Sequence, residues 1–284
     1  MIVLILEKFT EIMKRISIIV FAAITSLVIS CSQNPITGRN QFTLYNEADI
    51  QNMAADQYRQ FLSENKVVSA SVNKDAEMVR RVGQRLTNAI NSYYAKEGLS
   101  KELEGYKWEY NLVDSKDVNA WCMPGGKIVV YTGLLPISQN EAALAVVMGH
   151  EIAHALAKHG NERMSQATAQ QLGGVALSVA VANKSPEAQN LLMNAYGIGT
   201  TVGALLPFSR KQELEADKYG LIFSAMAGYN PQEAIPLWER MQQAGGGSRP
   251  PEFLSTHPSE GTRIERLKEL MPTALKYYRP ITSK

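Results

Sequence analysis

The stretch MGHEIAHALAKHGNER, residues 148–163, constrains the fold most, because it holds three of the chain's four histidines. On an α-helix, His150 and His154 are one turn apart on the same face, so both imidazoles can reach one zinc ion. Glu151 follows the first histidine directly and is placed to take a proton from an attacking water. His159 is rotated off that face and is a less favourable ligand. The alternative is an ordinary helix with a few polar residues, since so short a motif also occurs without a metal.

A zinc hydrolase generally needs a third protein ligand. The segment SRKQELEADKYG, residues 209–220, offers acidic residues for this purpose. Glu213 and Asp217 share one helix face, whereas Glu215 is rotated by roughly 160° from Asp217 and points elsewhere. The competing interpretation of this segment is a charged helix face in contact with water.

The surrounding sequence predicts a mainly helical chain with a few strands. Ser138, followed by Glu141 three residues later, predicts an N-cap for the helix that carries the histidines. Apolar residues at helical spacing predict further helices at about 47–63 and 75–96. Strands are predicted around 108–112 and 128–131, with a turn at Pro124-Gly125-Gly126 before the second. Residues 165–207 are poor in charge; we expect helices or flaps that pack on the site, because neither apolar segment reaches about 20 residues.

The N-terminus has the layout of a secretory signal. Residues 1–30 are interpreted as a signal peptide, and residues 1–12 as lying upstream of a true start at Met13, although Met1 stays possible. Val28-Ile29-Ser30-Cys31 resembles a bacterial lipobox, which predicts lipidation of Cys31 and a membrane anchor. The alternative is a chance cysteine after an ordinary signal.

Length and composition favour one domain. The chain has 284 residues, 45% of them hydrophobic, and a net charge of +2 without a long basic run, so no nucleic-acid partner is expected. We predict a lipidated tether at 31–45, or an edge segment lying on the domain, then the domain that carries the histidine motif at 46–275 and a C-terminal tail at 276–284. With Cys31 lipidated, only Cys122 remains, and no intramolecular disulfide can form.

Several motifs occur together in a fixed order. HEIAH, SRKQELEADKYG and STHPSEGTR resemble metallopeptidase family forty-eight, the HtpX, CAAX prenyl protease and Oma-type gluzincins, and NPITGRNQ resembles its small bacterial lipoprotein branch. This resemblance implies an α+β, mainly helical, zincin-like fold with a small β-sheet edge beside the active-site helix. It also implies one zinc ion per chain, held by His150, His154 and Glu213, with Asp217 supporting the histidines.

The same resemblance assigns further residues. It places His257, Pro258 and Arg263 at the rim of the zinc site, where His257 or Arg263 would assist the oxyanion. We expect the strand formed by Asn119, Ala120, Trp121 and Cys122 to pair with an extended peptide. We also expect His257 to cap the zinc at rest, the alternative being that it only packs against its neighbours.

The expected function is that of a zinc-dependent endopeptidase with Glu151 as general base. Its substrates would be unfolded or misassembled polypeptides. Its location would be the bacterial cell envelope, lipid-anchored at the outer membrane and facing the periplasm. Two rival functions remain open: a metal-free module that binds unfolded proteins without cutting them, and a zinc hydrolase acting on small molecules or cell-wall peptides.

Overall fold

The computed structural model describes residues 31–245, 252–257 and 262–281; the predicted signal peptide and Pro258 lie outside these ranges. The helices are α1 Glu47–Glu64, α2 Lys74–Lys96, α3 Leu135–Ser138, α4 Glu141–Leu156, α5 His159–Ala180, α6 Pro186–Thr200, α7 Leu206–Met226, α8 Ala234–Gly245, α9 Glu252–Thr256 and α10 Arg263–Leu275. The strands are β1 Cys31–Gln33, β2 Asn40–Phe42, β3 Val67–Val68, β4 Glu109–Val113, β5 Ala120–Met123 and β6 Lys127–Tyr131. The predicted α+β, mainly helical fold is confirmed.

Helices α1 and α2 begin and end within one residue of the bounds predicted from hydrophobic spacing. Asn46 and Asn73 cap them, because each side chain accepts hydrogen bonds from backbone N–H groups of the first turn. In α2 the apolar residues at helical spacing are fully buried: Val79, Val82, Leu86 and Ile90. The apolar face of α2 therefore forms one wall of the core.

Four strands form the sheet beside the histidine helix, in the order β3-β4-β6-β5. Strands β4 and β6 run parallel, while β5 pairs antiparallel with β6. The turn between β5 and β6 uses Gly125 and Gly126, whose φ angles of 78° and 84° favour glycine. Strand β5 is consequently an edge strand, with one side paired to β6.

Helix α4 is buried along nearly its whole length, from Ala143 to Leu156. It begins with Asn140 as N-cap, whose side chain accepts a hydrogen bond from Ala143 N at 2.8 Å. The predicted cap at Ser138 is therefore wrong. Ser138 instead ends the short helix α3, and Gln139, with a φ of 66°, separates the two helices.

Helices α4 and α7 approach each other backbone to backbone. A Cβ atom added at Gly220 would lie 2.8 Å from His150 N, and one added at Gly149 would lie 2.8 Å from Gly220 O. Ser224 strengthens the contact by donating to Ala145 O at 2.9 Å. This close packing holds the helix of Glu213 and Asp217 against the helix of the histidines.

The segment at 31–42 forms a hairpin of β1 and β2 that packs on the C-terminal end of α4. Gln41 is buried and donates its amide to Ala157 O at 2.6 Å, and Tyr219 OH donates to Ile36 O. In the structure this segment therefore lies on the rest of the chain. The predicted division of the chain into 31–45, 46–275 and 276–284 stays a prediction.

Helices α5 and α6 form a hairpin that connects α4, the helix of His150 and His154, to α7, the helix of Glu213. Its apolar side chains are largely exposed, among them Leu172, Val175, Val179, Leu191 and Ile198. The expectation that this region packs on the active site is therefore wrong for most of its length. By length and composition the continuous helical stretch Pro186–Met226 could also cross a membrane, contrary to our reading of its apolar part as too short.

Candidate active site

Four donor atoms converge between α4, α7 and the segment that follows α9. His154 Nε2 lies 3.1 Å from His150 Nε2, and the Glu213 carboxylate lies 3.3 Å from each of these nitrogens. His257 Nδ1 lies 3.3 Å from His150 Nε2 and 3.2 Å from Glu213 Oε2. All four side chains are buried. The structure thus brings together the two predicted histidines, the predicted third ligand and His257.

These separations test whether the cluster fits a zinc ion. Ligand atoms about 2.0–2.1 Å from a tetrahedral zinc lie about 3.3–3.4 Å from one another. Five of the six residue pairs have separations of 3.1 to 3.3 Å, close to this value, and all four donor atoms lie within 4.8 Å of one another. Three imidazoles and one carboxylate are also ligand types that zinc accepts. The residues present therefore fit the metal.

Glu151 lies beside the cluster with its side chain inside the protein. Its Oε1 atom is buried and accepts no hydrogen bond from any residue that the structure describes, and His257 Nε2 is 3.4 Å away. Burial raises the pKa of Glu151, and the nearby His257 and His150 only partly offset this. A buried carboxylate oxygen without a partner is a ready acceptor for a proton from a water or a substrate.

Behind His150 lies the carboxylate of Asp217, and behind that carboxylate lies the guanidinium of Arg263. Asp217 Oδ1 lies 3.0 Å from His150 Nδ1 and 2.5 Å from Arg263 Nη2. Arg263 is itself buried and stacks on the ring of Trp238, 3.5 Å from its centroid. Arg263 thus lies behind His150, where it holds Asp217, and not at the rim on which the resemblance placed it.

The electrostatics of the cluster follow from burial opposed by hydrogen bonding. Burial alone would raise the pKa of Glu213, but hydrogen bonds from three imidazoles outweigh it and hold that pKa below its usual value. Burial likewise opposes protonation of His150, yet its contacts with Asp217 and Glu213 raise its pKa to about 9. For His154, burial wins and the pKa lies well below its usual value. A metal ion entering this site has to displace the proton from His150.

The predicted substrate strand lies at the edge of the sheet next to α4. Asn119 O accepts from Tyr131 N at 3.1 Å, so the backbone groups of Ala120 and Cys122 point away from β6. The N–H of Ala120 is satisfied by Asn119 Oδ1 at 2.9 Å. Within the described ranges no strand pairs with this edge. Two residues before Ala120, Val118 O accepts a hydrogen bond from Phe253 N of α9. The free edge therefore begins after Val118, which contacts the first turn of α9.

Sequence reasoning missed a group of residues behind His154. His159 lies on the far side of the His154 ring, with the two Nδ1 atoms 2.8 Å apart, and its Nε2 is 2.9 Å from Glu215. Arg39 of the N-terminal hairpin binds both Glu215 and Glu162 at 2.6 Å. Helix geometry predicts that His159 and Glu215 point away from the ligand face, but it does not show that they meet each other.

The domain matches a known family. The description Peptidase family M48 matches residues 74–271, and the chain belongs to this family. The recognition made from the motifs is thereby confirmed, as are the class, a zinc metallopeptidase, and the metal. Membership of the small bacterial lipoprotein branch stays a prediction.

The similar proteins are proteases by name. The chain is 35% identical over 242 residues to the mitochondrial metalloendopeptidase OMA1 of Schizosaccharomyces pombe, covering 84% of this chain and 66% of that protein. It is 30% identical over 249 residues to metalloendopeptidase OMA1 of Homo sapiens, covering 86% and 46%. The beta-barrel assembly-enhancing protease of Escherichia coli is 29% identical over 192 residues, covering 66% and 37%. The chain thus spans between about a third and two thirds of these proteins.

These relatives correct one prediction. The OMA1 proteins, which match 84% and 86% of the chain, are mitochondrial by name, whereas the bacterial relative matches 66% of it at lower identity. The predicted location, lipid-anchored at a bacterial outer membrane, is therefore wrong. The location was predicted from the lipobox-like residues before Cys31, and those residues lie outside the described part of the chain. The backbone of Cys31 is described and begins β1.

Proposed function

We propose that this chain is a zinc-dependent endopeptidase in which His150, His154 and Glu213 hold the metal. The observation that carries the proposal is the convergence of their donor atoms, at separations of 3.1 to 3.3 Å, beside a Glu151 oxygen that accepts no hydrogen bond from the described residues. Without a metal, three imidazoles and a carboxylate would be buried next to one another, and burying such groups costs free energy that a bound metal offsets.

When bound, a zinc ion supplies a Lewis acid that polarises the scissile carbonyl and lowers the pKa of water to about 7. Glu151 accepts the proton of the attacking water and returns it to the leaving amine, a role suited to a carboxylate whose pKa burial raises. Asp217 fixes the ring of His150 by accepting from its Nδ1–H. Arg263 holds Asp217 in place and keeps it ionised.

His257 is proposed to act as a resting cap on the metal. Its Nδ1 is as close to His150 and Glu213 as the proposed ligands are to one another, so with zinc bound His257 would hold the place that a catalytic water needs. Its Nε2 faces Glu151 at 3.4 Å. On this proposal, substrate entry displaces His257, which frees Glu151 and leaves the imidazole available to the oxyanion.

The substrate is proposed to be an extended polypeptide. The outward backbone groups of Cys122, on the free edge of β5, can pair with a peptide strand independently of its sequence. The Glu151 charge contributes to the raised pKa of Cys122, after burial, which fits an edge strand close to the general base. A strand edge that binds substrates only through backbone hydrogen bonds favours unfolded or misassembled proteins, because their backbone is accessible.

The test is degradation of unfolded casein by wild-type protein, by Glu151→Gln and by wild type after chelation. We expect cleavage by wild type alone, with Glu151→Gln folded, still binding zinc and slower by about 10²–10⁴-fold, as for a positioned base. Cleavage by Glu151→Gln at the wild-type rate would refute the assignment of the base. Binding of casein without cleavage by the zinc-loaded wild type would favour the non-cutting module instead.

A further inference from the structure

The two zinc-binding histidines of the proposed site are held from behind in different ways. His150 meets a carboxylate directly, since Asp217 lies 3.0 Å from its Nδ1. His154 has no carboxylate at its Nδ1 within the described residues; another imidazole, that of His159, takes that place at 2.8 Å. A metal-binding histidine normally donates its other N–H to a partner that fixes its orientation. For His154 that partner is His159.

The contacts continue from His159 in one line. His159 is fully buried, and its Nε2 lies 2.9 Å from Glu215 Oε2. Arg39 then donates to Glu215 from Nε and Nη2, at 2.6 and 3.2 Å, and to Glu162 from Nη1 and the same Nη2, at 2.6 and 2.7 Å. Each histidine thus has an acid and an arginine behind it. His150 contacts its acid, Asp217, directly, whereas His154 reaches Glu215 through the imidazole of His159.

The placement of protons is consistent along this line. With His154 Nε2 facing the metal, its Nδ1 carries the proton and donates it to His159 Nδ1. His159 is then protonated at Nε2 and donates to the Glu215 carboxylate, which Arg39 neutralises. Every polar atom in the line then has a partner of the right kind. The other neutral tautomer of His159, protonated at Nδ1, would set two N–H groups against each other and leave Nε2 without a proton to donate to Glu215.

We propose that His159, Glu215 and Arg39 are positioning residues for His154, so that the N-terminal hairpin is part of the support of the metal centre. The proposal rests on the proposed function, in which His154 is a ligand. A purely structural ion pair would need only Arg39 and Glu162, which are already joined by two hydrogen bonds. Glu215 and His159 add nothing to that pair except the connection to His154.

The test compares the zinc affinity of variants by competition with a chelator of known affinity. His159→Phe and Glu215→Ala should weaken zinc binding by about 10–100-fold, as for other supporting partners of metal ligands. Glu215→Gln should lose less than Glu215→Ala, because its amide oxygen still accepts from His159. The matched control is Glu162→Gln, which breaks the other ion pair of Arg39 but leaves the line to His154 intact, and it should keep wild-type affinity.

Two further readouts separate positioning from folding. Thermal unfolding of the metal-free variants shows whether each is folded, and the visible spectrum of the cobalt-substituted protein reports the ligand geometry, which should change in Glu215→Ala and not in Glu162→Gln. Wild-type affinity and spectrum in folded Glu215→Ala would overturn the proposal, as would equal losses in Glu162→Gln. If His154→Ala keeps its zinc, the ligand assignment fails and the positioning role falls with it. If His154→Ala loses zinc but Glu215→Ala does not, the positioning role alone is refuted.

Discussion

The crossing of α4 and α7 at glycine is the contact on which the metal centre most depends. A Cβ atom at Gly220 would lie 2.8 Å from His150 N and 2.9 Å from His150 Cα. Atoms in ordinary contact are about 3.5–4.0 Å apart, so in Gly220→Ala the two helices must separate by roughly 0.7–1 Å. Metal ligands tolerate displacements of only about 0.2 Å. Glu213, two turns earlier on α7, would therefore move out of reach of the histidines.

Gly220→Ala should consequently lose both stability and zinc. Overpacking of this kind costs about 1–3 kcal/mol, which corresponds to about 2–4 °C in Tm per kcal/mol in a domain of this size. The matched control is Gly197→Ala in α6, where an added Cβ meets no atom within 4 Å. That change should stabilise the helix by up to about 1 kcal/mol and leave zinc unchanged. Thermal unfolding of the metal-free proteins and zinc titration give both quantities. A Gly220→Ala protein with the wild-type Tm and zinc affinity would refute the reasoning.

Three further predictions concern single contacts. His257→Ala should speed removal of zinc by a chelator, because the proposed cap is gone; unchanged rates in a folded variant would exclude the cap. Asn140→Ala should cost about 1 kcal/mol of stability through loss of the α4 cap without changing zinc affinity, and no change in Tm would contradict its capping role. Burial raises the pKa of the Cys122 thiol, so less thiolate is present at pH 8 and labelling, followed by peptide mapping, should be slower in folded than in denatured protein; equal rates would contradict this burial.

Hydrophobic spacing was enough to predict helices α1 and α2, and the period of the helix was enough to predict the histidine face. The apolar residues of α2 recur at the helical period over 23 residues, and that period fixes both the element and its buried side. The same geometry set His150, His154 and Glu213 on facing sides of two helices, and the structure brings them together. Such signals are local, so they can be read along the chain.

The features that sequence reasoning missed depend on contacts between distant segments. Residues 31–42 are mostly polar and have no period, and they lie on the domain because Gln41 and Arg39 find partners at the end of α4 and on α5 and α7. The cap of α4 was misplaced by two residues because Ser138 and Asn140 are both good N-caps, and the short helix α3 decides between them. Glycine at position 220 has no local role in its helix, so its importance appears only when α4 lies against it.

The ligand assignment is tested most directly by X-ray diffraction from crystals of the zinc-loaded protein, recorded on both sides of the zinc absorption edge. The anomalous difference map locates the metal without any assumption about its ligands. We expect one peak per chain, about 2.0–2.2 Å from His150 Nε2, His154 Nε2 and a Glu213 oxygen. A peak coordinated by Glu215, or the absence of any peak between the two histidines, would contradict the proposed metal centre.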